Sequence, residues 1–133
     1  MKFLKPLVFL SVVFLSLTAC KKDSDKPAPV LQGKWTGKYG MGNNNPGYFY
    51  SLNFKAGGIL EEINQAGEVR GTGTWQIDNN NIITGKTTNT KDPVGVKFSI
   101  VGAFYPSEGM VLGNWGYDDS ATDGGTFELK SKD

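Results

Sequence analysis

Short segments rich in Thr, Val, Ile, Phe, Tyr and Trp follow one another from Val30 to the end of the chain, separated by clusters of Gly, Asn, Asp and Pro. Within these segments apolar and polar positions alternate, which is typical of strands with one buried face. No apolar pattern with the 3.6-residue period of a helix lasts for three turns. The sequence therefore predicts an all-β domain with eight strands, at about 33–40, 47–55, 58–64, 68–77, 80–88, 94–104, 109–117 and 123–131.

The connections KAGG, NQAGE, DNN and YPSEG are short and rich in turn-forming residues. Connections of this kind join neighbouring antiparallel strands. A meander of strands leaves two exposed edges unless its last strand pairs with its first. We therefore expect residues 30–133 to form a closed, up-and-down antiparallel β-barrel.

The three tryptophans, Trp35, Trp75 and Trp115, each follow a glycine by two positions and are spaced 40 residues apart. Positions two apart in a strand share one face, so we expect each glycine to make room for an indole inside a narrow barrel. Equal strand and turn lengths explain part of the spacing. An internal duplication is the alternative, although the segments between the tryptophans do not resemble one another.

The same alternation assigns the interior positions of six strands and leaves the third and fifth strands open. If Leu60 points inward in the third strand, Glu62 does so too. If Ile59 and Ile63 point inward instead, Glu61 joins them. The predicted interior positions of the other strands are Trp35, Gly37, Tyr39, Tyr48, Tyr50, Leu52, Phe54, Gly71, Gly73, Trp75, Ile77, Val96, Phe98, Ile100, Gly102, Phe104, Val111, Gly113, Trp115, Tyr117, Phe127 and Leu129.

Connection lengths distinguish the two ends of the predicted barrel. The second, fourth and sixth connections, around 55–58, 78–80 and 105–109, are tight, and they share one end, which we call the floor. The first, fifth and seventh connections, GMGNNNPG, TNTKDPVG and DDSATDGG, are long and polar; they share the other end, the rim, with NQAGE. Long loops are typical of an open end. Trp35 and Trp75 lie near the floor and are predicted to fill the base.

A group of aromatic residues lies towards the predicted rim. Tyrosine and tryptophan combine an apolar face with a polar group, which suits a pocket for a planar or amphipathic small molecule. The alternative is that these residues belong to the core, because an eight-stranded barrel is just wide enough to be filled by side chains. The group, which we call the collar, consists of Tyr39, Tyr48, Tyr50, Trp115 and Tyr117.

The first 20 residues are typical of an export signal rather than of the fold. Lys2 and Lys5 precede an apolar run at 7–17, whose 11 residues are too few to span a bilayer. The run ends in Leu-Thr-Ala-Cys, which resembles the lipobox of bacterial lipoproteins. The resemblance implies that residues 1–19 are a signal peptide and that Cys20 receives the lipid. The alternative is an ordinary signal peptide followed by a stray cysteine.

Residues 21–29, KKDSDKPAP, are charged, contain proline and lack large apolar side chains, so we expect 20–29 to be a disordered tether. Resemblance to other lipoproteins implies the outer membrane, because Lys21 rather than aspartate follows Cys20. The barrel would then lie on the periplasmic or cell-surface side. Two or more acyl chains make such an anchor stable, at ~0.8 kcal/mol per buried methylene. Cys20 is the only cysteine, so an internal disulfide is excluded.

Gly33-Lys34-Trp35, near the start of the first strand, resembles the Gly-x-Trp signature of the lipocalin and avidin (calycin) group. The segment GNWGYDDSATDGGTFEL is similar to small lipocalin-like domains of bacterial lipoproteins. The resemblance covers most of 31–131 and implies a ligand-binding barrel. Gly37, Tyr39 and Met41 replace the polar residues that avidins use for biotin, so biotin is not the expected ligand. The Thr-Asp-Tyr type triplet of lipocalins is absent.

The chain contains no histidine, which excludes a Ser-His-Asp triad, imidazole acid–base catalysis and histidine-bound zinc. Lipidation of Cys20 removes the only cysteine nucleophile. The aspartates at 118, 119 and 123 lack the ligand order of an EF-hand, so we interpret them as part of a solvated loop. The remaining route to an enzyme is a pair of carboxylates, including Glu61 or Glu62, that hydrolyses a glycosidic bond.

Residues 30–133 carry nine lysine or arginine residues and eleven acidic residues, a net charge of −2 without a basic surface for nucleic acid. We therefore expect a barrel that is not an enzyme, needs no cofactor or metal, meets the membrane through its lipid anchor and binds a small apolar or aromatic ligand at the rim. The alternative is a filled barrel that acts as an envelope interaction module. The sequence identifies neither the ligand nor a protein partner.

Overall fold

The computed structural model describes residues 30–132. These residues form eight strands and one short 3-10 turn, Ala56–Gly58, between the second and third strands. The strands are β1 (Gly33–Tyr39), β2 (Tyr48–Lys55), β3 (Ile59–Ile63), β4 (Val69–Ile77), β5 (Ile82–Asn89), β6 (Lys97–Tyr105), β7 (Met110–Tyr117) and β8 (Gly125–Ser131).

Each strand pairs antiparallel with the next, and β8 pairs with β1, so the sheet closes into a barrel. The predicted all-β, eight-stranded up-and-down barrel is therefore confirmed. The sixth strand begins at Lys97 rather than at 94, because the Asn89 N–H donates to the Val96 carbonyl at 2.8 Å and closes the preceding segment into a loop. The predicted signal peptide at 1–19 and the lipidated tether at 20–29 lie outside the described residues. No helix among residues 30–132 is long and apolar enough to cross a membrane.

The core fills the floor half and the middle of the barrel and extends to Trp115 near the rim. Burial of a large apolar side chain stabilises a fold by about 1.5–3 kcal/mol, so this layer supplies most of the stability of a chain that has no disulfide. The buried apolar residues include Leu31, Trp35, Leu52, Phe54, Leu60, Ile83, Ile100, Phe104, Val111, Trp115, Phe127 and Leu129.

The structure resolves the two strands whose inward register the sequence left open. In β3, Leu60 and Glu62 face inward, whereas Ile59 is 45% exposed. In β5, the inward positions are Ile83 and the three alternating residues that follow it to Asn89. Three predicted interior residues, Tyr48, Ile77 and Tyr117, are exposed because each is the first or last residue of its strand.

The glycines of the Gly-x-Trp units do not make room for their own tryptophans, so this prediction is wrong. A Cβ on Gly73 would overlap the Lys86 carbonyl oxygen of the neighbouring strand, and one on Gly113 would overlap the Val101 carbonyl oxygen. A Cβ on Gly33 would meet nothing within 4 Å. The backbone of an adjacent strand therefore requires Gly73 and Gly113, since the strands approach each other too closely for a side chain.

The segment before β1 covers the floor. Leu31 is buried, and the Trp35 Nε1–H donates to the Leu31 carbonyl at 2.6 Å. Trp75 lies on another side of the floor, partly buried, with its Nε1–H donating to the Lys55 carbonyl at 2.9 Å. Both tryptophans therefore lie at the base of the barrel, and the described chain enters the barrel at this end.

Candidate functional site

A cavity of about 100 Å³ opens at the rim, and we call it the rim pocket. It contains four of the five predicted collar residues. The fifth, Tyr48, does not line it: this side chain is 59% exposed and its ring contacts Tyr39 with a centroid separation of 5.4 Å. The residues that line the rim pocket are Tyr39, Met41, Tyr50, Glu62, Arg70, Phe98, Trp115 and Tyr117.

The aromatic rings of the rim pocket meet edge to face rather than in stacks. The ring of Tyr39 lies 5.5 Å from that of Trp115 at 88°, and 5.7 Å from that of Tyr50 at 68°. Trp115 in turn meets Tyr117 at 5.3 Å and 68° and Phe98 at 6.0 Å and 64°. Rings arranged in this way form angled walls around a space and stabilise one another by about 0.5–1.5 kcal/mol per pair.

Trp115 is fixed by the loops at the rim. Its Nε1–H donates to the Gly40 carbonyl at 2.9 Å in a buried hydrogen bond. Gly124 lies against the six-membered part of its indole, where a Cβ would stand 2.6 Å from Cζ3 and 2.7 Å from Cδ2. Gly40 is held in turn, because its N–H donates to the Thr126 carbonyl at 2.8 Å. The indole N–H is therefore already used, and Trp115 offers a ligand only its carbon surface.

An ion pair between a buried acid and a partly exposed arginine forms the polar part of the rim pocket. The Arg70 Nε lies 3.3 Å from the Glu62 Oε1; the Glu62 residue is only 8% exposed, and the Arg70 side chain is 39% exposed. Burial raises the pKa of the Glu62 carboxyl, and the Arg70 charge lowers it by less. Burial also raises the pKa of the Tyr50 hydroxyl well above its usual value, with a further contribution from Glu62, so Tyr50 is neutral at physiological pH.

Arg70 reaches the lumen because β4 contains a β-bulge. Glu62 pairs with Gly71 and Ile63 with Val69, so Arg70 is the extra residue between two pairs. A bulge turns the side chains next to it away from strict alternation. Sequence reasoning missed Arg70 because alternation from Gly71 places it on the outside. The available signal was Gly71, since a glycine inside a strand is a common mark of a bulge.

Asn89 is the second polar residue that sequence reasoning did not identify at this end of the barrel. It is 2% exposed, and its Oδ1 accepts no hydrogen bond from residues 30–132. A Cβ built on Gly71 would lie 3.3 Å from this oxygen and 3.6 Å from the Glu62 Cβ. Two buried oxygen acceptors, one neutral and one acidic, therefore flank the backbone at Gly71.

The aspartates of the β7–β8 loop hold the loop to the outer face of the barrel. Asp119 pairs with Lys86 at 2.7 Å, and the Asp123 Oδ1 accepts the Tyr117 N–H at 2.8 Å. The bond from Lys86 lowers the pKa of the exposed Asp119 carboxyl. Residues 30–132 contain no group of three or more His, Cys, Asp or Glu side chains that could hold a metal ion.

A larger groove of about 400 Å³ lies outside the barrel, between the β7–β8 loop and the outer face of β4–β6. Its lining includes Thr74, Gln76, Thr84 and the exposed Lys86–Asp119 pair. Short exposed polar side chains and a solvated ion pair contribute little to affinity. The rim pocket has both a buried charged group and apolar walls, so it is the better candidate for a binding site.

We found no match to the chain among protein-family models, curated proteins or solved structures. The barrel fold is established by the structure, and the resemblance to lipocalin-like lipoproteins stays a prediction from the sequence.

Proposed function

We propose that this protein is a lipid-anchored β-barrel of the cell envelope that binds a small ligand with an apolar or aromatic body at its rim, without converting it. The observation that carries the proposal is the rim pocket, in which Tyr39, Tyr50, Trp115 and Tyr117 surround an opening to solvent. Apolar walls with a few convergent polar groups are typical of small-molecule sites.

The size of the rim pocket restricts the ligand. Its volume of about 100 Å³ is smaller than the ~150 Å³ of a cavity that accommodates benzene, and smaller than the ~300–1,000 Å³ of a drug-sized site. The barrel below it is filled by buried side chains such as Leu52 and Phe54. The rim pocket therefore has no room for a long acyl chain. A ligand would insert one small group and lay the rest of its surface against the exposed Met41 and Tyr48.

The position of Val30, where the described residues begin, supports an anchored barrel with an accessible rim. The described chain enters the barrel at the floor, beside Leu31. The nine residues 21–29 span at most about 30 Å when fully extended. A lipid on Cys20 would therefore keep the floor near the membrane and leave the rim facing away from it.

Binding without conversion is favoured by the polar residues of the rim pocket. Glycoside hydrolysis generally uses two carboxyl groups on either side of the scissile bond. The rim pocket is lined by one acidic residue, Glu62, which is already paired with Arg70.

The test uses the chain from residue 20 onward with Cys20→Ser, because β1–β8 close within this segment. Small aromatic and aliphatic amines, alcohols and acids are titrated while tryptophan fluorescence and binding heat are followed. We expect saturable binding that is lost in Tyr39→Ala and kept in Leu112→Ala, a substitution on the outer face. If no compound binds, or if Tyr39→Ala binds as the parent does, the rim is not a ligand site.

An interaction module is the second candidate, and an exposed apolar strip on the outer face favours it. Ile82 pairs with Ala103, and Ala103 pairs with Leu112, so these three residues form a continuous row across β5–β7. Tyr105 lies beside the row and is also exposed. If this strip binds a protein or polysaccharide, Leu112→Lys abolishes binding while Tyr39→Ala has no effect.

A further inference from the structure

We infer that the ligand of the rim pocket carries a protonated amine, whose N–H groups bind the Glu62 carboxylate while its apolar body packs against the collar. The inference rests on the proposed function and specifies the ligand class. It follows from the balance of donors and acceptors at the inner end of the pocket, from the position of the two charges and from the arrangement of the aromatic rings.

Oxygen acceptors exceed donors around Glu62. The ion-pair partner of Glu62 among residues 30–132 is Arg70, through one contact of 3.3 Å. The Asn89 Oδ1, on the other strand that flanks Gly71, is also buried without a donor from the same residues, although Asn89 does not line the rim pocket. A buried acceptor without a partner is unfavourable. An ammonium group has three donors and no acceptor, so it supplies the donors that the Glu62 carboxylate lacks.

The two charges lie at different depths. Glu62 is almost fully buried, whereas the Arg70 side chain is more than one third exposed, so water screens Arg70 more than it screens Glu62. The pKa of Glu62 is raised despite Arg70, which indicates that Arg70 does not fully compensate the buried carboxylate. A cation at the inner end would complete this compensation. An anion would place a second negative charge beside Glu62.

The walls of the rim pocket also suit a cation. Tyr39 and Trp115 are nearly perpendicular, and Tyr50 and Tyr117 stand at 68° to their neighbours, so the rings form angled walls. An ammonium group near aromatic faces is attracted to them by cation–π interaction. The volume of about 100 Å³ corresponds to roughly three water molecules, which is enough for an ammonium group and its first carbon atoms.

The experiment compares benzylammonium, benzyl alcohol and benzoate, which share one ring and differ in the charge of the head group. Binding to the Cys20→Ser chain is measured by calorimetry at pH 7. We expect benzylammonium to bind at least about tenfold more tightly than benzyl alcohol, and benzoate to bind most weakly. Equal binding of benzylammonium and benzyl alcohol overturns the inference but leaves the proposed ligand site intact. If none of these three compounds and no compound of the wider panel binds, both the inference and the proposed ligand site are wrong.

Glu62→Gln and Glu61→Gln are a matched pair of variants. Glu61 is the neighbouring acid, but it lies on the outer face, bonded to Asn53 at 3.0 Å and to Lys55 at 3.2 Å. We expect Glu62→Gln to lose the preference for benzylammonium while it keeps its affinity for benzyl alcohol. We expect Glu61→Gln to keep both. If Glu62→Gln still binds benzylammonium more tightly than benzyl alcohol, a group other than Glu62 binds the cation and the inference is wrong.

The pH dependence of binding to the Cys20→Ser chain gives a test that does not depend on whether a Glu62 variant folds. The charged and titratable groups around Glu62 are Arg70 on β4, Tyr50 on β2 and Tyr39 on β1. Burial raises the pKa of Tyr50 well above its usual value, so Tyr50 stays neutral below pH 8 and the change in protonation in this range is that of Glu62. The preference for benzylammonium should therefore fall as the pH is lowered through the raised pKa of Glu62. A preference that is constant between pH 7 and pH 4 contradicts the inference.

Discussion

Gly124→Ala tests whether the wall of the rim pocket is as tightly packed as the structure indicates. The added Cβ would lie 2.6–2.7 Å from two atoms of the Trp115 indole, whereas carbon atoms in contact are normally about 3.5–4.0 Å apart. Trp115 or the loop must therefore move by about 1 Å. Overpacking of this size costs about 1–3 kcal/mol.

A displaced indole also strains the hydrogen bond from Trp115 Nε1 to the Gly40 carbonyl, which is 2.9 Å long and buried. A buried donor that loses its partner adds about 1–3 kcal/mol to the cost. We therefore expect Gly124→Ala to lower the free energy of unfolding by about 2–6 kcal/mol. The measurement is urea unfolding of the Cys20→Ser chain, followed by tryptophan emission.

Gly47→Ala is the matched control, because the nearest atom to its added Cβ is 3.9 Å away. It should change the free energy of unfolding by less than about 1 kcal/mol. In a Trp115→Phe background, Gly124→Ala should cost less than in the parent, because phenylalanine lacks the fused ring system that the Cβ meets. If Gly124→Ala is as stable as Gly47→Ala and leaves the emission spectrum unchanged, the packing described for Trp115 is wrong.

Three further substitutions probe the core, the barrel wall and the buried acid. Leu60→Ala removes a fully buried side chain and should lower the free energy of unfolding by about 2–5 kcal/mol in urea. Gly73→Ala forces a side chain against the Lys86 carbonyl and should prevent closure of the barrel. Thermal unfolding should then show no cooperative transition. A cooperative transition at the temperature of the parent contradicts this prediction. Burial raises the pKa of Glu62 in the folded state above its value in the unfolded chain. Between these two pKa values the folded state binds more protons than the unfolded state. The contribution of Glu62 to the free energy of unfolding therefore falls as the pH rises through the folded pKa. The free energy of unfolding of the parent, measured relative to that of Glu62→Gln, should therefore fall as the pH is raised from 4 to 7. A difference between the two proteins that does not change with pH contradicts the raised pKa.

The fold was predictable because alternation and turn residues are local signals. Each strand of this barrel pairs with its neighbour in the chain, so no long crossover had to be inferred. Odd-numbered and even-numbered connections lie at opposite ends of such a barrel, so the lengths of the connections then distinguished the floor from the rim. The third strand was ambiguous because it carries an acid on each face. The choice depends on register, which pairs Glu61 with Asn53 and Lys55 outside and leaves Glu62 within the lumen.

The polar part of the site was not predictable by the same reasoning. Alternation fails at a bulge, and Arg70 is the residue that the bulge inserts. Asn89 lies at the end of the strand whose inward register the sequence left open. The aromatic residues of the collar followed the pattern more closely, and only Tyr48 lies outside the rim pocket, because it is the first residue of β2 and its side chain is exposed.

The recurring glycines separate the two halves of the lumen. Gly37 lies between Trp35 at the floor and Tyr39 at the rim, and Gly113 lies between Val111 and Trp115 in the same way. A Cβ at either glycine would overlap the backbone of the adjacent strand. Glycines at such positions let a sheet coil sharply enough to close. At these two positions no side chain enters the lumen, so the residues on the floor side are packed for stability while Tyr39 and Trp115 on the other side line the rim pocket.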